Sequence, residues 1–599
     1  MLVSLAYPAA GNNTARAPVY LSRTEAGRFI ALTGNLRIKE GRYRTRHRII
    51  DKPIYGNDQQ VAEWKSLHTQ SAIWYEPRSG QGTHYIGVGP PRVIESAGGK
   101  LFSLTEAGIG FEVKDISSGM QAPDRYRLAW LCQGENYVIR SDGFAPVQIF
   151  DGKVTVGSPG YSQVAKEAAR FPNACGPTVY AGGRFYTTLF GRRIYASDSL
   201  HQVNQDSAID LLKFTDQSYD YINVYFAPPA DDGDVTALTV SIDSGFDNSR
   251  AQGEVITMCE NSIWGIALGI DRELWPVTKM RHSRSKETSA TGPNAFWVRD
   301  GDILMRTARG IESLNLLNRD RAAVGTSVLD LGIQMHEILR RDPEDALLFA
   351  SLVNPLNLNR MFCTVTPIVE GLRHYHLGWL TANWNPMQEQ VSRGYAWEGL
   401  NMLPASIGRV IQFLSFRSKG TSRVLALVDK GNGQSKGLCE LTQEEGNDVD
   451  AEGNNVEIPQ FLLTRRLSAA GPFEATTFST LRLFLDDVRS NVVAKVFVRS
   501  NKKRSWKLHK EISVEVVNNR GEPVVCSEGA DDGYDLGKPF TDQKDVRWVQ
   551  ILVRFTGITS IDLAIEASDP QSLTSGNSAS CVKAEADPVC DFDPFADAL

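Results

Sequence analysis

The chain reads as strands and turns along most of its length. In YRLAWLCQGENYVIRSDGFAPVQIFDG, apolar and polar positions alternate in short runs broken by Gly-Glu-Asn, Asp142-Gly143 and Asp151-Gly152. A period of two marks strands that bury one face, and Asp-Gly suits a tight hairpin turn because glycine accepts positive φ. The rhythm returns in PTVYAGGRFYTTLFGRRIYASDSL around Gly182-Gly183 and Gly191-Arg192. It returns again in GEVITMCENSIWGIALG around Glu260-Asn261 and in NAFWVRDGDILMRTARGIESL around Asp300-Gly301. Further strands follow in DALLFASLVNPLNLNRMFCTVT, RHYHLGWL and SRVLALVDKGNGQSKGLCEL. The hairpins recur at roughly 40–60 residues, a range that overlaps one four-stranded propeller blade. No signature repeats letter for letter, so a string of sandwich hairpins is the other architecture this pattern allows. The interval favours a β-propeller over residues 126–440.

Residues 1–125 read as a partly irregular N-terminal region, with a helix near QQVAEWKSLHTQ and strands at THYIGVG and KLFSLTE. A helical interruption is expected over 327–342. Residues 441–457, LTQEEGNDVDAEGNNVE, are acidic and aperiodic, and predict an exposed loop or a domain boundary. Over 458–568, TTFSTLRLFLDD, VVAKVFVRS, WKLHKEISVEVV, VRWVQILVRFTG and SIDLAIEA give five alternating strands, as a β-sandwich-like domain needs. Residues 569–599 carry little apolar surface and predict a flexible tail that orders only on a partner. The fold class is mainly β: a propeller, then a sandwich-like domain, after a partly irregular N-terminal region.

Composition changes this picture little. Of 599 residues, 42% are apolar and 22% charged, an ordinary globular balance. A single core rarely grows past about 300 residues, so two or more domains are expected. The net charge of −6 argues against a surface generally adapted to nucleic acid. The eight cysteines, Cys132, Cys175, Cys259, Cys363, Cys439, Cys526, Cys581 and Cys590, are widely spaced without a Cys-x-x-Cys. That spacing excludes a zinc ribbon and a dense disulfide scaffold, and predicts free thiols in a reducing cytoplasm. Cys581 and Cys590, in the polar tail, form the one pair read as able to cross-link. MLVSLAYPAAGNNTAR makes a poor signal peptide, and no run of about 18 apolar residues is present to span a membrane.

Candidate chemistry fails at particular residues. His336 opens a His-Glu-x-x sequence, but Arg340 stands where the second metal ligand of a zincin helix belongs. Asp448, Asp450 and Glu452 begin like a calcium loop, but the twelfth position, which must supply a bidentate carboxylate, is Pro459. His374 and His376 share a strand face without a visible third ligand. Residues 241–248, SIDSGFDN, approximate a propeller blade turn that lacks its closing Trp, since Asn248 stands there. No nucleophile elbow, phosphate loop or dinucleotide fingerprint occurs. No catalytic, metal or cofactor-binding residue is assigned, and the expectation is a protein that is not an enzyme and uses no cofactor.

The most pointed charge feature is the comb Arg42, Arg44, Arg46 and Arg48. In one extended strand, all four guanidinium groups share a face at about 6–7 Å spacing. Such a comb needs something acidic opposite it, and the candidates are a neighbouring subunit's carboxylates or phosphates. A solvated strand edge is the plainer alternative. KMRHSRSK at 279–286 and SNKKRSWKLHK at 500–510 are two further basic patches. The second sets Trp506 beside Lys502, Lys503 and Arg504, where the ring could stack on a base; a hairpin tip of lysines is the commoner arrangement.

Four stretches, in this order, resemble the β-propeller tail nozzle proteins of short-tailed bacteriophages, also called tail tubular protein B or tail stabilisation proteins. They are ENYVIRSDGFAPVQIFDG, GGRFYTTLFGRRIYASDSLHQVNQ, DGDVTALTVSIDSGFDNSRAQGEVITMCENSIWGI, and LTRRLSAAGPFEATTFSTLRLFLDD leading into VVAKVFVRSNKKRSW. Together they span roughly residues 126–510, while residues 1–125 match no part of that family. The resemblance implies a structural virion protein, assembled in the host cytoplasm and located in the tail. It implies a homohexameric ring below an adaptor, with tail fibres or a needle as further partners, that retains the genome and conducts DNA with transient, non-specific contact. On this reading residues 1–125 supply subunit or adaptor contacts, and a negative net charge suits a lumen that must not grip phosphate. The competing expectation is a propeller-type tail protein that binds or hydrolyses glycan at the host surface.

Overall fold

The computed structural model describes residues 2–4 and, with breaks, 32–567; 5–31, 268–279, 315–330, 516–533 and 568–599 are among the stretches outside it. Among the described residues, seven antiparallel sheets succeed one another, and within each the strands pair mainly in sequence order. Blade 1 holds Thr69–Tyr75, Arg92–Ala97, Lys100–Ala107 and Gly110–Asp115; blade 2 holds Trp130–Gly134, Tyr137–Ser141, Gln148–Phe150 and Thr155–Gly157. Blade 3 holds Thr178–Ala181, Arg184–Leu189 and Arg193–Ala196, with Phe226 bridging to Ile194. Blade 4 holds Val235–Ser241, Glu254–Cys259, Ser262–Ala267 and Met280–Ser283; blade 5 holds Phe296–Arg299, Asp302–Arg306 and Ile311–Ser313. Blade 6 holds Leu352–Val353, Arg360–Val365, Gly378–Asn383 and Ala396–Asn401; blade 7 holds Arg409–Ser418, Thr421–Asp429 and Lys436–Glu445.

Except between blades 4 and 5, the first strand of each blade packs beside the first strand of the next, and that of blade 7 returns to that of blade 1. Blades 4 and 5 join through a shared apolar core, with Ala237 and Ile256 beside Ala295 and Ile303, and through the Thr236 hydroxyl, which donates to the Ala290 carbonyl at 2.8 Å. A closed ring of inner strands with sheets radiating from it is a β-propeller, here of seven blades. The turn residues explain the hairpins: Gly182 and Gly183 take φ of 53° and 76° between two strands of blade 3, where a side chain would strain the backbone. The predicted helix is present as Asp58–Ser66, capped by the Asn57 side chain, and it buries Trp64.

Two further sheets face each other across a core that includes Leu481, Leu483 and Leu485 with Val492, Ala494, Val496 and Val553. One carries Gln460–Leu463, Val549–Thr556, Val492–Ser500 and Lys507–Val514; the other carries Leu36–Lys39, Arg42–Thr45, Ser560–Ala567, Phe478–Asp486 and Tyr534–Asp535. Two facing sheets over one core make the sandwich expected from the alternation. The first five residues of Val492–Ser500 alternate buried and exposed, as that period requires.

The N-terminal region is woven through both bodies. His47–Lys52 is the outer strand of blade 7, antiparallel to Lys436–Glu445. Leu32–Gly34 runs parallel to Ala396–Asn401 of blade 6 and antiparallel to Gln460–Leu463 of the sandwich. Blade 6 and one sandwich sheet are therefore a single nine-stranded sheet. Gly34 permits this, because a Cβ there would lie 2.0 Å from the Phe461 ring. The pattern expected irregular chain before 126, but blade 1 begins at Thr69 and strands run from Leu32 onward. The acidic stretch 441–457, expected as a long exposed hairpin tip or a domain boundary, continues the strand Lys436–Glu445 and then folds into a hairpin of Asp448–Val449 with Asn455–Val456, whose turn residues Glu452–Asn454 are exposed. Short polar strands completed by partners distant in sequence leave no local alternation to read. Of the expected helix over 327–342, His336–Leu339 is helical, with Arg340 at its C-terminal end.

Candidate functional site

The arginine comb and the acidic stretch meet each other within one chain. Arg46 sits between the strands Arg42–Thr45 and His47–Lys52, which belong to different sheets, so Arg44, Arg46 and Arg48 do not lie along one strand face. Its guanidinium turns inward and is 5% exposed, against a fully buried Asp448. Nη1 and Nη2 reach the two Asp448 carboxylate oxygens at 2.8 and 2.5 Å. Nε donates to Asn35 Oδ1 at 3.0 Å, Nη1 to the His47 carbonyl at 2.9 Å and Nη2 to the Met402 carbonyl at 3.3 Å. All five N–H donors are thereby used, as a buried guanidinium requires. The Trp379 ring lies 5.7 Å from the guanidinium.

The neighbours on the comb are also paired. Arg44 meets Asp487 at 2.8 Å and Glu445 at 4.0 Å, and Arg48 meets Glu444. The side chain of Arg42 lies outside the described residues, although its backbone is in strand. Glu445 also receives Arg37 and, at 2.9 Å, Arg489. The acidic partner sought for the comb is thus supplied internally to Arg44, Arg46 and Arg48.

A second carboxylate that sequence reasoning missed anchors the same junction. Glu398, on the outer strand of blade 6 and 1% exposed, accepts from Arg360 Nε and Nη2 at 2.8 and 2.9 Å. It also accepts from the Ile38 amide at 2.9 Å and Asn383 Nδ2 at 3.1 Å. The readable signal is a lone acid inside the apolar run AWEGL. Asn35, at φ 55°, joins the pieces: Nδ2 donates to the Pro459 carbonyl at 2.8 Å, and Oδ1 accepts from the Met402 amide at 2.8 Å. Burial, reinforced by Arg37, Arg360, Lys39 and Arg46, pushes the His47 imidazole down to about 3, so it is neutral here. Burial also lowers Arg37 despite Glu445, whereas at Arg360 burial works downward and Glu398 outweighs it, leaving the group raised. Tyr43 is raised well above its ordinary value by burial and then by Glu398.

The second basic patch is a hairpin tip. Lys502 and Lys503 are exposed between Val492–Ser500 and Lys507–Val514, with the Ser500 amide donating to the Lys503 carbonyl at 2.8 Å. Arg504 lies outside the described residues. Trp506 is half-buried against the core, and Arg499 covers its ring at 4.5 Å. That face is therefore already occupied. In the calcium-like loop, Asp448 is held by Arg46, and Asp450 accepts from the Asn454 amide at 2.7 Å, a bond that holds its carboxyl below the usual range. Among the described residues no cluster of three metal-ligating side chains occurs, and no helix is long and apolar enough to cross a membrane. His374, His376, Asn248, Cys581 and Cys590 lie outside the described residues. Cys132, Cys175, Cys259, Cys363 and Cys439 are free and buried.

No protein-family model matches the chain, and no curated protein matches it. Solved structures align loosely. A complex of BBS1N with ARL6DN aligns at 12% identity over 40% of this chain and 59% of that one, with a TM-score of 0.24. The chain thus spans under two thirds of that structure. BamB from Moraxella catarrhalis aligns at 7% identity over 64% of this chain and 99% of that one, with a TM-score of 0.31. YCF48 from Cyanidioschyzon merolae aligns at 9% identity over 63% of this chain and 99% of that one, with a TM-score of 0.32. Superpositions this loose say nothing of function, and the propeller rests on the ring of sheets described above.

Proposed function

We propose that the chain is a structural virion protein, a homohexameric tail nozzle that sits below an adaptor ring, retains the packaged genome and conducts DNA during ejection. The observation that carries this reading is the weld between propeller and sandwich. One nine-stranded sheet passes from blade 6 into the sandwich, and buried ion pairs lock the seam beside it. Such a joint suits a part that must hold shape under internal pressure rather than open around a substrate. The ordered resemblance of four stretches over roughly residues 126–510 to tail nozzle proteins supports the same reading. The proposal assigns no catalytic residue. With Arg44, Arg46 and Arg48 engaged inside the chain, subunit and adaptor contacts fall to other surfaces.

Mass photometry and electron microscopy of the purified chain test it. The expected result is a closed ring with a through-channel and a mass about six times the 66.1 kDa chain. A monomer at every concentration, with no ring in the presence of tail components, overturns the proposal. A strongly basic channel lining counts against DNA transit, because phosphate attraction would slow it.

A further inference from the structure

The inner strands of blades 1, 5, 6 and 7 enclose a pit of about 360 Å³. That volume falls in the range of about 300–1,000 Å³ usual for small-molecule sites. Its wall is aromatic. Trp74 lies flat on Phe416 with ring centroids 3.6 Å apart, and Trp297 stands half-buried on the blade 5 side. The Trp74 indole N–H is sealed from water and has no acceptor among the described residues. Glu76 and Arg417 are exposed at the pit, with the half-buried Asn294 beside them. Among the described residues neither Glu76 nor Arg417 is in an ion pair, which sets them apart from the paired charges of the junction.

We propose that this pit binds a short neutral saccharide. Flat indole faces carry negative π density that meets the C–H face of a pyranose ring. The ring's hydroxyl groups donate and accept around its edge, matching the carboxylate of Glu76, the guanidinium of Arg417 and the amide of Asn294 together. Other ligand classes fit less well. A purely apolar ligand leaves the half-buried Asn294 without a partner and makes no use of Glu76 and Arg417. A phosphate group meets one cation with a carboxylate alongside, and a metal ion meets one carboxylate with a guanidinium alongside. The inference goes beyond the nozzle reading, since a conduit requires no ligand in its subunits. It is tested on the chain alone, so ring formation and sugar binding succeed or fail separately.

Saturation-transfer NMR and tryptophan emission, with chitotriose and maltotriose added to the full chain, provide the test. At least one sugar is expected to show saturable transfer. Trp297→Ala should weaken it about tenfold or more, as expected for an aromatic anchor. Glu76→Gln and Arg417→Gln, both at exposed positions, should each weaken it several-fold with the melting temperature unchanged. These two variants keep the test decisive if Trp297→Ala fails to fold. Absence of transfer from both sugars overturns the proposal, as does transfer that all three variants leave unchanged. Saturable binding of triglutamate or inorganic phosphate, with none of either sugar, overturns the ligand class.

Discussion

Two of the molecule's buried seams are built from different materials. Where blade 7 closes onto blade 1, the contact is largely apolar: Leu425, Leu427 and Leu438 pack with Val93, Phe102 and Leu104. Polar pins cross it as well, among them the ion pair of Arg423 with Glu106 nearer the surface. The Gln412 amide exchanges two hydrogen bonds with the Ala72 backbone at 2.8 and 3.0 Å, and Lys436 meets Glu95 at 2.5 Å. Where the propeller meets the sandwich, the seam is instead dense with charge, with Arg37, Arg46 and Arg360 each facing a carboxylate. The ring closure draws most of its stability from area removed from water, which tolerates small errors of fit. The charged seam contributes little net energy when complete and fails sharply when one partner is lost, because the remaining charge stays buried. One seam sets stability; the other sets geometry, and makes it conditional on pH.

Several substitutions break or sharpen this contrast. The largest effect is expected from Glu398→Ala, which leaves Arg360, the Ile38 amide and Asn383 without their acceptor. A loss toward the upper end of about 3–5 kcal/mol is expected in denaturant unfolding. Lys436→Met should cost about 3 kcal/mol alone, but much less when combined with Glu95→Gln, since the pair is removed together. If the double variant is as unstable as the single, the blade closure depends on charge as well, and the contrast falls. His47 comes next. Its folded pKa of about 3 lies below the ordinary 6.5, so neutrality is favoured by folding. That contribution is intact above pH 6.5 and is lost as pH falls toward 3, amounting to about 3 kcal/mol between pH 6.5 and 4. His47→Gln should flatten that part of the stability–pH curve relative to wild type. Gln412→Ala should cost about 1–2 kcal/mol, by leaving the Ala72 backbone groups unpaired. Replacing Lys502 and Lys503 by Ala should change stability by less than about 0.5 kcal/mol, since both stand on an exposed tip.

Local pattern made much of this architecture legible. Hairpins closed by Gly182-Gly183 and the alternating strands near 478–567 carry their own signals, because turn chemistry and period two are properties of short windows. The helix at Asp58–Ser66 was readable from its spacing. What escaped was the short N-terminal strands whose partners lie hundreds of residues away. Leu32–Gly34, Arg42–Thr45 and His47–Lys52 are short, with partners hundreds of residues on, and the charges of this segment are paired with acids near residues 440–490. Four arginines on alternate positions call for acidic company, and LTQEEGNDVDAEGNNVE is unusually acidic. Nothing local says that the two are each other's partner, and the fully buried Asp448 has the same letter as a solvated aspartate. The aromatic pit escaped for a related reason: Trp74, Trp297 and Arg417 come from three separate blades, and only the closed ring brings them together.

The threaded N-terminal segment also constrains the order of events as the chain is made. His47–Lys52 leaves the ribosome early, yet its strand partner Lys436–Glu445 emerges nearly four hundred residues later. Leu32–Gly34 waits longer still, for Gln460–Leu463. Blades 2 to 5 can close hairpin by hairpin during synthesis, because their pairings are between neighbours in sequence. Blade 7 and the sandwich cannot be completed until almost the whole chain is free, and although Leu36–Lys39 and Arg42–Thr45 can pair locally, Leu32–Gly34 and His47–Lys52 must wait until then. A chaperone that shields that segment, or a synthesis pause near residue 445, should raise the yield of correctly folded protein more than any aid given to the middle of the chain.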